Sequence, residues 1–269
     1  MNQIELRNAS FKYPNGFLAN DGLSLIVNQG ERVAIVGQNG AGKTTAVKMM
    51  NGLHKPCEGD VIVNGKNTKD FTTAQIARHV GYVFQNPDDQ IFNQTVYDEI
   101  AYMPKYYKMD EKEIKEKVQA VAKLLQIERF LKSNPLETPY TIRKFVTIAA
   151  ILVTEPEYII LDEPTAGQDL RGIEVLVKVM DVLKEKGVGV ITITHDMEFV
   201  ANNFKRVVAM ANKKIVLDGD VRECFANDDV LAACKIKRPH IGEIAKQIGL
   251  GKDILNAKEF VERYQQVRG

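Results

Sequence analysis

No apolar run in this sequence approaches the roughly 18 residues that a membrane helix needs, so the chain is not expected to span a bilayer, although it can sit against a protein that does. The opening residues, MNQIELRNAS, are polar and lack the apolar stretch of a secretory signal, which is therefore not expected. Cysteine is scarce. Cys57, Cys224 and Cys234 show no CxxC spacing, which points to neither a metal site nor a disulfide framework and leaves a reducing compartment as the default. A net charge of +1 gives no electrostatic footprint of a nucleic-acid binder, and no nucleic-acid partner is expected, although local basic patches stay open. Internal repeats and low-complexity segments are absent. What is left is the ordinary composition of a globular protein, 45% hydrophobic and 26% charged over 269 residues, enough for one large or two smaller domains.

Against this background one stretch stands out. Residues 37–44, GQNGAGKT, fit the phosphate-loop pattern G-x-x-x-x-G-K-[ST] at every fixed position. Gly37, Gly40 and Gly42 have no Cβ to keep the backbone away from phosphate oxygens. The loop amides then point inward at the start of a helix, where the helix dipole favours an anion. In such loops the position of Lys43 reaches the β- and γ-phosphates and that of Thr44 holds Mg²⁺. Residues 31–36 (ERVAIV) read as a buried strand and residues 45–50 as a helix, the context that turns the pattern into a site. The candidate nucleotide-binding set is Gly37, Gln38, Asn39, Gly40, Ala41, Gly42, Lys43, Thr44 and Thr45.

Upstream, residues 4–11 alternate as a half-buried strand, a turn follows at Tyr13 to Gly16, and residues 23–27 read as a second strand. Tyr13 is either an ordinary turn tyrosine or a ring that stacks on adenine, worth roughly 1–3 kcal/mol per base elsewhere. Downstream, residues 59–65 (GDVIVNG) form a strand ending in an Asn-Gly hairpin signal. Residues 76–80 lead into the apolar strand 81–84, after which Gln85 is either a surface glutamine or a contact for Mg²⁺ or the attacking water. Residues 95–151 look helical, with an apolar stripe at Ile114, Val118, Val121, Leu124 and Leu125. Residues 158–161 are a second core strand that delivers two acids. Asp162 would enter the Mg²⁺ shell at the carboxyl edge of a parallel sheet, and Glu163 would polarise water as general base. A further buried strand, 188–194, ends at His195, a residue able to stabilise charge on a γ-phosphate. Residues 207–210 and 214–217 read as closing strands with Asp218-Gly219 as a turn. From about residue 228 the texture changes to a basic, proline-broken stretch, KIKRP, and two short amphipathic helices at about 242–251 and 254–267.

The ordered set Tyr13, GQNGAGKT, Gln85, IILDEP (159–164), TAGQD (165–169) and His195 resembles the nucleotide-binding subunit of an ABC transporter over about residues 1–228. The segment VGYVFQNPDDQIFNQTVYDEIAY, residues 80–102, is similar to the energy-coupling factor (ECF) transporter ATPases of the EcfA/CbiO-like group. The tail KIKRPHIGEIAKQIG resembles their C-terminal dimerisation domain. The resemblance implies an α/β fold, a P-loop NTPase of ABC type. Its parts are a RecA-like core, an antiparallel β subdomain and a helical subdomain at about 88–157, followed by a small C-terminal helical domain at 229–269. It also implies an ATPase using ATP and Mg²⁺, with Glu163, His195 and Lys43 catalytic, Thr44, Gln85 and Asp162 at the metal, Tyr13 as the A-loop ring and Asp169 as the D-loop acid. The implied partners are a second ABC ATPase, a membrane T subunit (EcfT-like) and a substrate-capturing S subunit for vitamins or transition-metal ions, with the chain peripheral on the cytoplasmic face of the membrane.

One departure matters. Aligned through VTIA (146–149), the family's L-S-G-G-Q signature falls on Thr138, Pro139, Tyr140, Thr141 and Ile142, with neither glycine, nor the serine, nor the glutamine present. In the family this motif closes over the γ-phosphate on the opposite subunit. Pro139 has no N–H to donate, and Tyr140 and Thr141 put side chains where backbone should approach phosphate. The expectation is an obligate heterodimer with one efficient site, in which a partner supplies an intact signature to this chain's phosphate loop. A soluble ABC-type nucleotide switch without a transport role is the alternative. It is disfavoured because tandem halves and coiled-coil insertions are absent. A chain that binds ATP without turning it over is disfavoured by Glu163.

Overall fold

Alternating apolar and polar residues at the start of the chain form two long antiparallel strands, β1 (Gln3–Lys12) and β2 (Leu18–Asn28), in a computed structural model that describes residues 2–268. β3 (Arg32–Val36) runs into α1 (Lys43–Met50). β4 (Glu58–Val63) and β5 (Lys66–Asn67) follow, joined at Asn64 and Gly65, whose φ of 50° and 80° fit the expected Asn-Gly hairpin. Then come α2 (Thr73–Ala77), β6 (Val80–Val83), and the helices α3 (Val96–Tyr106), α4 (Glu111–Leu124) and α5 (Tyr140–Leu152). β7 (Tyr158–Asp162), α6 (Leu170–Glu185), β8 (Gly189–Ile193), α7 (Met197–Asn203), β9 (Arg206–Ala211) and β10 (Lys214–Asp220) complete the core. The chain ends with α8 (Val221–Ala226), α9 (Asp228–Cys234), α10 (His240–Gln247) and α11 (Ala257–Arg268). Among the described residues no helix is long and apolar enough to cross a membrane.

The strands make two sheets. One is antiparallel, in the order β2-β1-β4-β5, and the other has the order β10-β9-β3-β8-β7-β6, parallel except for β10. β3, β7 and β8 read as unbroken apolar runs because both of their faces are covered. Their side chains alternate between two cores. Val33 and Ile35 pack with α1 and the antiparallel sheet, whereas Ala34 and Val36 pack on the side of α3 to α7. β7 does the same, with Tyr158 and Ile160 on one side and Ile159 and Leu161 on the other.

One expectation of local structure is corrected. Asp218 and Gly219 are not a turn but lie within β10, opposite Val208 and Val207. The turn falls at Asn212 and Lys213, both with positive φ, and a register shift between Ile215 and Leu217 absorbs the irregularity. The lead-in to the expected strand 81–84 is helical at Ile76, where Thr72 and Gln75 form a reciprocal capping box that starts α2, and the strand itself is found as β6, Val80–Val83.

The texture change near residue 228 precedes the change of core. Val230, Leu231 and Cys234 of α9 belong to the main apolar cluster, while a separate small cluster is built from Ala245, Leu250 and Ile254 with Phe260 and Tyr264. Arg238 joins the two. Its buried guanidinium donates to the Phe225 carbonyl at 2.7 Å, Asp228 at 2.8 Å and Glu243 at 2.8 Å. Lys252 and Lys246 add to Asp228 at 2.7 and 3.0 Å, and Arg222 holds Glu259 at 2.6 Å.

Lys252, Arg238 and Lys246 hold the Asp228 carboxyl below its usual range, and Arg222 pulls Glu259 down to about 2. A lowered carboxylate pKa gives stability that is present above the ordinary value and lost as pH falls through the lowered one. The tail should therefore stay docked until pH falls well below 4.5, loosening towards pH 2. Arg238→Met should make residues 240–268 the first site of limited proteolysis at neutral pH, read by mass spectrometry of the fragments.

Candidate active site

Parallel pairing brings three loops to one edge. Ile35 of β3, Ile193 of β8 and Asp162 of β7 lie in one row, so the residues that follow these strands, Gly37, His195 and Glu163, emerge together. Gly37 has φ 143°, and a Cβ there would lie 2.1 Å from the Met210 carbonyl oxygen. Gly42 has φ 99°, and its Cβ would lie 2.6 Å from the Ala19 carbonyl oxygen. Glycine is required at both for space and for conformation. The fully buried Asn20 donates from Nδ2 to the Gly42 carbonyl at 3.1 Å and ties the loop to β2.

Lys43 is buried. Its ammonium donates to the Gly37 and Gln38 carbonyls at 2.7 and 3.0 Å and lies 3.5 Å from His195 Nε2. Burial lowers its pKa, and the nearby Glu163 and Asp162 charges oppose that shift. Thr44 Oγ1 donates weakly to Asp162 Oδ2 at 3.4 Å, and Tyr82 donates its phenol proton to the same oxygen at 2.7 Å. Burial raises the pKa of Asp162 and of Glu163. Glu163 Oε2 accepts from the His195 backbone N–H at 3.2 Å, and Oε1 is 3.5 Å from His195 Nε2. The Asp162 carboxylate beside the Thr44 hydroxyl is a hard-oxygen donor pair. It fits Mg²⁺, which is held by one or two carboxylates together with substrate phosphates. Among the described residues no three His, Cys, Asp or Glu side chains gather as an all-protein metal cage.

A cavity of about 350 Å³ is lined by Tyr13, Asn39, Gly40, Gly42, Lys43, Thr44, Thr45, Gln85, Asp162, Glu163 and His195, all singled out in the sequence. Gly37, Gln38 and Ala41 are not part of its lining. Gly37 and Gln38 serve through carbonyls that accept from Lys43, and Ala41 is buried beneath the loop. Phe17, Ala19 and Ile193 line the cavity without having been anticipated. Tyr13 bonds its hydroxyl to Thr45 Oγ1 at 3.1 Å, and Phe17, more than half exposed, lies 6.5 Å from the Tyr13 ring with planes 29° apart. Phe17 carried no motif signal. Only its place in the short turn after Tyr13 could have marked it.

A glycine loop on a helix N-terminus, a buried lysine and a strand-end acid pair define the class: a P-loop nucleoside-triphosphate hydrolase fold. The comparisons give the family. The family model described as ABC transporter matches residues 20–166. The chain is 40% identical over 258 residues to a putative ABC transporter ATP-binding protein of Caldanaerobacter subterraneus subsp. tengcongensis, covering 96% of this chain but only 45% of that protein. It is 33% identical over 260 residues to the energy-coupling factor transporter ATP-binding protein EcfA of Methanocaldococcus jannaschii, covering 96% and 91% of the two. CbiO1 of Clostridium perfringens, described as part of the ABC transporter complex CbiONQ, superposes with a TM-score of 0.78 at 30% identity, covering 91% of this chain and 100% of that one. The chain belongs to the ABC transporter ATP-binding family, and it is an ATPase of that family.

Tyr13→Ala should weaken binding of an adenine nucleotide by about 5- to 150-fold, from the roughly 1–3 kcal/mol that a stacked base contributes. Tyr13→Phe, which loses only the bond to Thr45, should weaken it far less. Titration with a fluorescent ATP analogue reads both.

Proposed function

We propose that the chain is the ATP-hydrolysing subunit of an ECF-type importer, peripheral on the cytoplasmic face of a membrane, and acts as one half of an ATPase heterodimer. In this reading the triphosphate lies along the amides of residues 37–45, and Lys43 exchanges its two loop carbonyls for β- and γ-phosphate oxygens. Thr44 and Asp162, with Gln85 on the cavity wall, would hold Mg²⁺, which when bound offsets phosphate charge. Glu163 takes a proton from the attacking water as the water oxygen bonds to the γ-phosphorus and the bond to ADP breaks. Its burial-raised pKa suits a base. His195, between Lys43 and Glu163, donates to the γ-phosphate as charge builds.

The observation that carries the heterodimer is the contrast between this site and the start of α5. Pro139 caps that helix with no side-chain hydrogen bond. The exposed Tyr140 ring follows it, lying against Gly167 so closely that a Cβ on that glycine would be 2.9 Å away. A phosphate arriving here meets the Tyr140 ring, and Pro139 offers it no N–H. The ECF reading is supported by the similarity to EcfA and CbiO1 and by residues 80–102. Beyond Gln85 the exposed Phe92 and Tyr102 stack edge to face at 4.7 Å, an aromatic step suited to a coupling helix of a membrane T subunit. An S subunit would capture the cargo, a vitamin or a transition-metal ion.

Steady-state ATP hydrolysis by the purified chain, measured over a wide concentration range, should stay at the level of Glu163→Gln and be rescued by an ATPase carrying L-S-G-G-Q. Brisk turnover rising with the square of concentration would defeat the heterodimer reading. Conversely, the combined change Pro139→Ser, Tyr140→Gly, Thr141→Gly and Ile142→Gln should confer concentration-dependent activity on the chain alone.

A further inference from the structure

Lys144 is the most deeply buried charge outside the nucleotide cavity whose role is unassigned. It sits one turn into α5, the helix that begins at the degenerate signature, and only 2% of its surface is exposed. Its ammonium donates to the backbone carbonyl of Glu163. That carbonyl also accepts the Ala166 N–H at 3.3 Å, closing the turn after β7. Burial pulls the Lys144 pKa down to about 8, against the opposing pull of the Glu163 and Asp162 carboxylates. The ammonium also lies 6.0 Å from the Tyr140 ring centroid, a weaker contact than its hydrogen bond, so a role at the carbonyl is the simplest reason for a lysine kept this fully buried.

The carbonyl belongs to a residue held in an unusual conformation. Glu163 has φ 49°, a left-handed geometry uncommon for a side chain of its length. Besides the Ala166 N–H that closes the turn, three contacts hold it. Its N–H donates to the Ile193 carbonyl at 2.8 Å, its carboxylate accepts the His195 N–H at 3.2 Å, and its carbonyl is gripped by Lys144. The first two come from β8 and its continuation. Lys144 holds the Glu163 carbonyl itself from the side of α5.

We propose that Lys144 is a positioning residue for ATP hydrolysis, fixing the Glu163 carbonyl from α5 so that the Glu163 carboxylate is aimed at the attacking water. This rests on the reading of Glu163 as general base. Lys144 does not line the nucleotide cavity, so its removal should spare ATP binding and act on the chemical step. A displacement of about 1 Å at a reacting group costs up to about 100-fold in rate.

The test uses whichever form turns over ATP, the chain alone or the chain paired with a complementing ATPase. In that form kcat and KM for ATP, nucleotide affinity and thermal midpoint are measured for Lys144→Met, Lys144→Gln and Glu163→Gln. Lys144→Met should lower kcat by about 10- to 100-fold with nucleotide affinity changed less than about 2-fold. Lys144→Gln, which keeps an N–H donor on a stem one bond shorter, should recover part of the loss. A Lys144→Met protein that folds and keeps its kcat overturns the proposal. So does a loss of kcat and nucleotide affinity in parallel, which a merely structural role produces. If Lys144→Met does not fold, Lys144→Gln decides by the same split. Full activity in Glu163→Gln would instead sink the general-base reading on which the proposal rests. A dead Glu163→Gln beside an unaffected Lys144→Met would sink the Lys144 role alone.

Discussion

The site depends on the parallel ladder of β3, β8 and β7. Backbone hydrogen bonds put Ile35, Ile193 and Asp162 in one row, and the apolar side chains of each strand, alternating between two cores, lock that register. A slip of one residue would move a strand by about 3.3 Å along its axis and turn every side chain to the opposite face. Either consequence would be costly here. Both faces of β3 and β7 are buried, so no register but the observed one matches the two cores. A shift of that size would also part His195 from Lys43 and from Glu163, each of which now lies 3.5 Å from its Nε2. The chemistry at the strand ends is therefore a product of core packing several residues behind it.

The same burial sets the electrostatics. Lys43 and Lys144 lose solvation, as do Asp162 and Glu163, and the two cations and two anions sit close enough to offset one another. Tyr82 performs a quieter service, supplying a proton to the Asp162 oxygen that Thr44 reaches only weakly.

Much of this was legible in the sequence, because contiguous residues make the phosphate loop and because a strand-end acid pair is a local pattern. The fold class and the cavity wall at Asn39, Gly40 and Gly42 to Thr45 follow from residues adjacent in the chain. What could not be read came from pairing across the chain. Asn20 and Tyr82 reach the site through hydrogen bonds from strands distant in the chain, and Phe17 enters through a hairpin whose geometry a string of residues does not reveal. Lys144 was hidden within a span read only as helical, since helix phase and not residue type decides which of its charges is buried. Asp218-Gly219 misled for a related reason. Turn-favouring residues inside an exposed edge strand are tolerated when pairing with β9 supplies the hydrogen bonds.

The left-handed backbone at Glu163 has a consequence for how this protein can be evolved. An L-residue with a long side chain sits in that region at a cost of roughly 1–2 kcal/mol, which glycine avoids and asparagine lessens. Position 163 is thus a place where a library selected for heat resistance alone would gain by discarding the carboxylate. Stability and turnover pull this one backbone angle in opposite directions, and a selection that does not score hydrolysis would drift towards a sturdier, silent cassette.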